Sequence, residues 1–198
     1  TAATATKITG ARSPFVHTGL TNGATYHYVV TAQNGEGEGG ASNEVAVSLP
    51  PSAPVTVSAL SGNGEVTIDW RGTLGATSFN LYWSTTAGVT PATGTKVENV
   101  TAPFVHTGVS NGTTYYYVVT GVGAGGEGLA SEQVSATPQV PVPGAPQSLT
   151  AVLTPEVTKS VTLQWSLPLP PTSPGDVLSY NLYRSTTAGI VPNVSAAE

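Results

Sequence analysis

Residues 14–48 recur at residues 103–137 without a gap, identical at 20 of 35 positions. An internal period of 89 residues therefore constrains the fold before any other feature does, because both copies must build the same supersecondary piece. The anchor is PFVHTG at 14–19 and again at 103–108, followed by an Asn-Gly pair and then TYHYVVT at 25–31 or TYYYVVT at 114–120. A second pair of segments covers the other half of the unit. Pro54 leads to Trp70 and NLYWSTTAG at 80–88, and Pro146 leads to Trp165 and NLYRSTTAG at 181–189. The order along the chain is back half, front half, back half, front half, so only residues 50–138 hold one uninterrupted unit. Residues 1–49 read as the C-terminal half of a neighbouring unit and residues 139–198 as the N-terminal half of another. Proline clusters at 50–54 and 138–146 mark the joints, where they stiffen the link and stop strands from continuing.

The unit is β-structured. Valine supplies 25 of the 198 residues, and branched side chains pack well on a pleated sheet. Glycine and proline, at 23 and 16, stay below the collagen or low-complexity range, and only 9% of the chain is charged, so nothing keeps it expanded. Val66, Ile68 and Trp70 alternate with Thr67, Asp69 and Arg71, the pattern of a half-buried strand. Phe79 with Leu81, and Tyr115, Tyr117 and Val119, repeat the alternation. Turn signals stand between them at Asn63-Gly64, 72–75, Asn111-Gly112 and 123–128. Seven short strands with a turn about every ten residues predict a two-sheet antiparallel sandwich.

These residues resemble the fibronectin type III domain. Trp70 and Trp165 resemble its second-strand tryptophan, Phe79 with Leu81 and Tyr180 with Leu182 its third-strand core pair, and 20–26 and 109–115 its tyrosine corner. The resemblance implies an all-β chain of tandem immunoglobulin-like (fibronectin type III) antiparallel sandwiches. The wording NGTTYYYVVT with glycine-rich turns looks bacterial rather than animal. It implies no particular function, since such sandwiches carry many roles. Integrin binding through Arg-Gly-Asp is not implied, the nearest string being Arg71-Gly72-Thr73.

The phase of the repeat against the two ends suggests partners. Each half contributes strands to both sheets, so neither half buries its own inner face. If about 1,000 Å² of apolar surface separates the halves, rejoining them is worth roughly 25 kcal/mol before chain entropy is subtracted. Completion within one chain asks short proline-rich links to return around the middle body. Completion by another copy, or by continuation of the same polypeptide, gives a linear string of sandwiches. The expected partner is therefore the chain itself, head-to-tail, with polysaccharide as a second candidate. Scarce edge-guarding lysine, at Lys7, Lys96 and Lys159 only, agrees with sheet edges that touch neighbours.

Other partners and chemistries are disfavoured. Six basic against 11 acidic residues, without a run of either, leave no footprint for nucleic acid. No apolar stretch is long enough to insert in a membrane as a helix. The chain has no cysteine, which removes disulfides and thiolate sites within it. His17 and His106 are repeat equivalents without ligands at metal spacing, and read as strand packing. His27 aligns with Tyr116 at an outward position. Asp69 and Asp176 are the only aspartates and do not pair, no nucleophile elbow occurs, and the glycine-rich stretches at 35–40 and 121–128 read as turns rather than phosphate cradles. Trp83, where the later copy has Arg184, reads first as packing against a neighbouring strand or domain, and would stack on a sugar if exposed. Asn99-Val100-Thr101, Asn111-Gly112-Thr113 and Asn193-Val194-Ser195 match the N-glycosylation pattern, Asn111 also being a turn residue. No catalytic, cofactor or metal residue is expected.

The leading expectation is a non-catalytic structural module of a bacterial extracellular or cell-surface protein, strung head-to-tail as a fibre or stalk. The alternative is a spacer or carbohydrate-binding accessory module of a secreted polysaccharide-degrading enzyme.

Overall fold

A computed structural model describes residues 5–153, 160–167 and 179–192. Lys159, Asp176 with its proline-rich loop, and the Asn193 tripeptide lie outside the described residues. The described secondary structure is all strand, and the chain divides into two units, Thr1–Pro138 and Gln139–Glu198.

In the first unit, β5 (Thr56–Ser61), β6 (Glu65–Arg71) and β9 (Phe104–Thr107) form a three-stranded antiparallel sheet in the order β5-β6-β9. The facing sheet runs β11 (Gly126–Ala130), β10 (Tyr115–Gly123), β7 (Ser78–Ser84), β8 (Thr95–Val100), and β12 (Val134–Ala136) also pairs with β10. Two antiparallel sheets connected in this way make the predicted sandwich.

The alternation read from the sequence decides which side chains meet. Val66, Ile68 and Trp70 of β6 face Leu81 of β7 and Tyr115, Tyr117 and Val119 of β10, and all are buried. Ile68, Leu81, Val66, Val119 and Tyr117 are closed to solvent, so burying each aliphatic side chain is worth about 1.5–3 kcal/mol before entropy. The Trp70 ring meets Phe79 edge-on with centroids 5.4 Å apart. Pairing of Leu81 with Val119 and Tyr82 with Val118 fixes which residues of β7 and β10 turn inward, since a one-residue slip would invert both faces.

The same unit contains β1 (Thr25–Tyr28), β2 (Thr31–Asn34), β3 (Gly37–Ala41) and β4 (Val45–Ser48). β1 pairs with β4 through Tyr26↔Val47, His27↔Ala46 and Tyr28↔Val45. Adding 89 to each number gives the β10–β12 register, Tyr115↔Ala136, Tyr116↔Ser135 and Tyr117↔Val134. The β2–β3 hairpin repeats β10–β11 in the same way, down to the register shift after Thr31 and Thr120. The repeat is therefore one of strand register as well as of letters.

In the second unit, β13 (Gln147–Leu153) pairs with β14 (Val161–Ser166). Trp165 meets Tyr180 edge-on at 5.3 Å, the same aromatic contact as Trp70 with Phe79. Pro51 and Pro138, which stand in the proline-rich joints read from the sequence, are fully buried.

Candidate functional site

Two side-chain constellations on the middle sandwich are rich enough in polar or aromatic groups to test for chemistry. The first is aromatic. Phe79, Leu81 and Trp83 share one face of β7, and Trp83 is largely buried against the core rather than presented to solvent. Its ring lies 4.7 Å from that of His106 and 5.8 Å from that of Tyr115. His106 stands edge-on to Tyr117 at 5.9 Å, and its Nδ1 is hydrogen-bonded to the Tyr117 hydroxyl at 3.1 Å. Burial pushes the His106 imidazole below its ordinary value and the Tyr117 phenol well above. Tyr115 accepts the Ser110 N–H at 3.0 Å on its hydroxyl, closing the tyrosine corner. The earlier copy repeats both devices. Tyr26 accepts the Thr21 N–H at 2.9 Å, and His17 Nδ1 lies 2.9 Å from the Tyr28 hydroxyl. This arrangement packs and positions: its rings pack against one another, and Trp83 packs against the core.

The second constellation is polar and lies on the outer face of the larger sheet. Glu127 of β11 accepts hydrogen bonds from Tyr82 at 2.6 Å and Thr120 at 2.5 Å, and Lys96 of β8 lies 3.7 Å from its other oxygen. Burial works to raise the Glu127 carboxyl, but these hydrogen bonds, one from Asn80 and the Lys96 charge hold it below the ordinary range. Lys96 is held at about 12, first by its 2.9 Å hydrogen bond to Glu98. Thr31, Glu38 and Lys7 stand 89 residues earlier and make the same contacts, Lys7 to Glu38 at 2.6 Å and Thr31 to Glu38. Sequence reasoning missed this constellation. The signal was present, because three polar positions recur at the 89-residue offset in a chain with few charges. Chemically it is a tie: a carboxylate holding β7, β8 and β10 to β11, with its acceptor oxygens engaged.

The remaining candidate residues stay apart. Asp69 accepts the Trp70 N–H at 3.0 Å and lies 3.8 Å from Arg71. His27 pairs with Glu44 at 3.0 Å. Asn111 accepts from Gly64 N–H and donates to Asn63, as a turn residue does, while Asn99 is exposed with φ of 56°. The 35–40 stretch forms the β2–β3 hairpin, where Asn34 Oδ1 accepts the Glu36 and Gly37 N–H groups. Among the described residues no group of three or more metal-ligating side chains occurs.

No family model matches the chain. An amylopullulanase of Thermoanaerobacter thermohydrosulfuricus is 34% identical over 103 residues, 50% of this chain and 7% of that protein. An amylopullulanase of Thermoanaerobacterium saccharolyticum is 34% identical over 99 residues, 46% of this chain and again 7% of the relative. The chain thus spans a small fraction of the curated relatives it matches. Among solved structures, an Fn3-like protein from Clostridium thermocellum is 31% identical, covering 46% of this chain and 98% of that one, with a TM-score of 0.39.

Proposed function

We propose, from the premise that the chain belongs to the fibronectin type III-like family of β-sandwiches, that it is a non-catalytic spacer module of a longer extracellular protein acting on polysaccharide. The observation that carries the reading is the pair of amylopullulanases, which are similar to this chain over a stretch that makes up only 7% of each. A short β-sandwich inside a large carbohydrate-active protein is an accessory part. An extracellular or cell-surface location follows from the same reading, since polymeric substrates are met outside the cell.

Geometry favours a spacer over a sugar binder. Trp83 faces the core, and the groups gathered around Glu127 are committed to one another. The purified chain mixed with insoluble starch should stay in the supernatant and release no reducing sugar. Retention on the polymer would refute the spacer reading, and sugar release would refute the non-catalytic one.

A second reading, a head-to-tail stalk or fibre with copies of the chain as partners, draws support from the 89-residue register repeat. Apolar side chains open on the flanking strand pairs add to it, Val45 at 55% exposure and Leu149 at 64%. Sedimentation velocity separates the two, since a stalk former gives long oligomers and a spacer a single species.

A further inference from the structure

The β10–β11 hairpin is lined with glycine where residues 48–52 lie against it. A Cβ added at Gly125 would sit 2.5 Å from both Ser48 O and Leu49 O, and one at Gly128 would overlap Pro51 O. On the other flank the backbones of Gly23 and Gly75 meet, and a Cβ on either would overlap the other's Cα. Real Cβ atoms essentially never approach a neighbour under 3.0 Å, so these positions admit glycine only. Hydrogen bonds brace the seated segment: Gly23 N–H to Pro50 O at 2.9 Å, Leu49 N–H to Ala24 O at 2.9 Å, Ser52 N–H to Leu74 O at 3.1 Å and Leu74 N–H to Ser52 Oγ at 2.9 Å.

The repeat supplies a contrast. Gly123 and Gly125 have Asn34 and Glu36 as their counterparts 89 residues earlier. The middle hairpin is thus bare where its copy carries side chains.

We infer that the glycine-lined β10–β11 hairpin, with Gly75, is a docking face for the C-terminal pole of a preceding sandwich. Its occupant here is the Asn22-Gly23 turn and the exit from β4. The joint holds residues 25–48 and 50–138 as one stiff body, and the β2–β3 hairpin is closed to an occupant seated in that way by Asn34 and Glu36. The use of such a joint rests on the spacer reading, because a stiff connection fixes the distance between whatever it separates. Its existence does not.

Amide hydrogen exchange on the full chain tests it. Gly19 and Gly23 share the left-handed conformation, with φ of 75° and 74°, but a Cβ at Gly19 meets nothing within 4 Å. The two alanine variants therefore carry the same backbone strain and differ in the contact. Overpacking of about 1–3 kcal/mol predicts that Gly23→Ala speeds exchange at Ser52 and Leu74 by about fivefold to over a hundredfold, and that Gly19→Ala leaves it unchanged. Gly125→Glu, which installs the residue of the other copy, should do the same as Gly23→Ala. Core amides of Leu81 and Val119 report the sandwich itself, and if Gly125→Glu speeds these too, Gly23→Ala decides. Unprotected Ser52 and Leu74 in the unmutated chain, or equal effects from Gly19→Ala and Gly23→Ala, would overturn the inference. Starch retention or sugar release would remove the spacer reading and leave the exchange result standing.

Discussion

Replacing Trp83 by alanine separates a packing tryptophan from a binding one in a single variant. A tryptophan side chain buries about 150–250 Å² when enclosed, so at about 25 cal/mol per Å² full burial is worth roughly 4–6 kcal/mol. Trp83 is largely but not fully buried against the core, which leaves about 3–5 kcal/mol. Its ring contacts with His106 and Tyr115, at 4.7 and 5.8 Å, place the loss within the middle sandwich. For a domain of under 100 residues, each kcal/mol moves the melting midpoint by about 4–8 °C, so Trp83→Ala should lower it by at least about 12 °C. Near-ultraviolet circular dichroism follows the transition, because the lost packing is aromatic. Trp83→Phe should recover much of the shift. A variant that melts within a degree or two of the parent would refute the reasoning, and loss of starch retention without a melting shift would reassign Trp83 to binding.

Tyr115→Phe removes the acceptor of the Ser110 N–H and should cost about 1–2 kcal/mol in urea unfolding, with the slope unchanged. His106 is held below its ordinary value by burial in a setting of Trp83, Tyr115 and Tyr117, with no carboxylate among its ring and hydrogen-bond partners. A depressed histidine leaves stability intact above the unfolded value of 6.5. As pH falls from there toward the folded value, the unfolded state takes up the proton first and stability drops; His106→Gln should flatten that part of the stability–pH curve. Glu127→Gln removes the charged acceptor shared by Tyr82 and Thr120. Its carboxyl titrates below the ordinary value, so its contribution is present above pH 4.5 and lost as pH falls through the folded value. After discounting for solvent, the variant should lose about 1 kcal/mol at neutral pH and nothing in acid.

The sandwich was legible in the sequence because its determinants are periodic. Val66, Ile68 and Trp70, then Phe79 with Leu81, alternate in a way only a two-faced strand satisfies, and each packs inward as that alternation requires. The tyrosine corner was legible because one hydroxyl reaches a backbone N–H five residues upstream, a purely local contact. Trp83 was legible by the same alternation as the sandwich: it lies two residues beyond Leu81, which turns it inward, and it packs against the core as a packing residue would. The Lys96–Glu127 tie is different, since four separate strands bring it together and only its recurrence as Lys7–Glu38 betrays it in one dimension. Contact between Gly23 and Gly75 joins two turns 52 positions apart, and no periodicity encodes that.

The shared strand register at an offset of 89 has a consequence for how such a chain can change length. Inserting or deleting one whole period hands every strand the partner it already had, with inward and outward side chains preserved. An odd-numbered insertion within a strand turns its buried row toward water. Growth or shortening by whole periods is therefore structurally silent for each sandwich, while the glycine-lined joint is the place where such a change would be noticed.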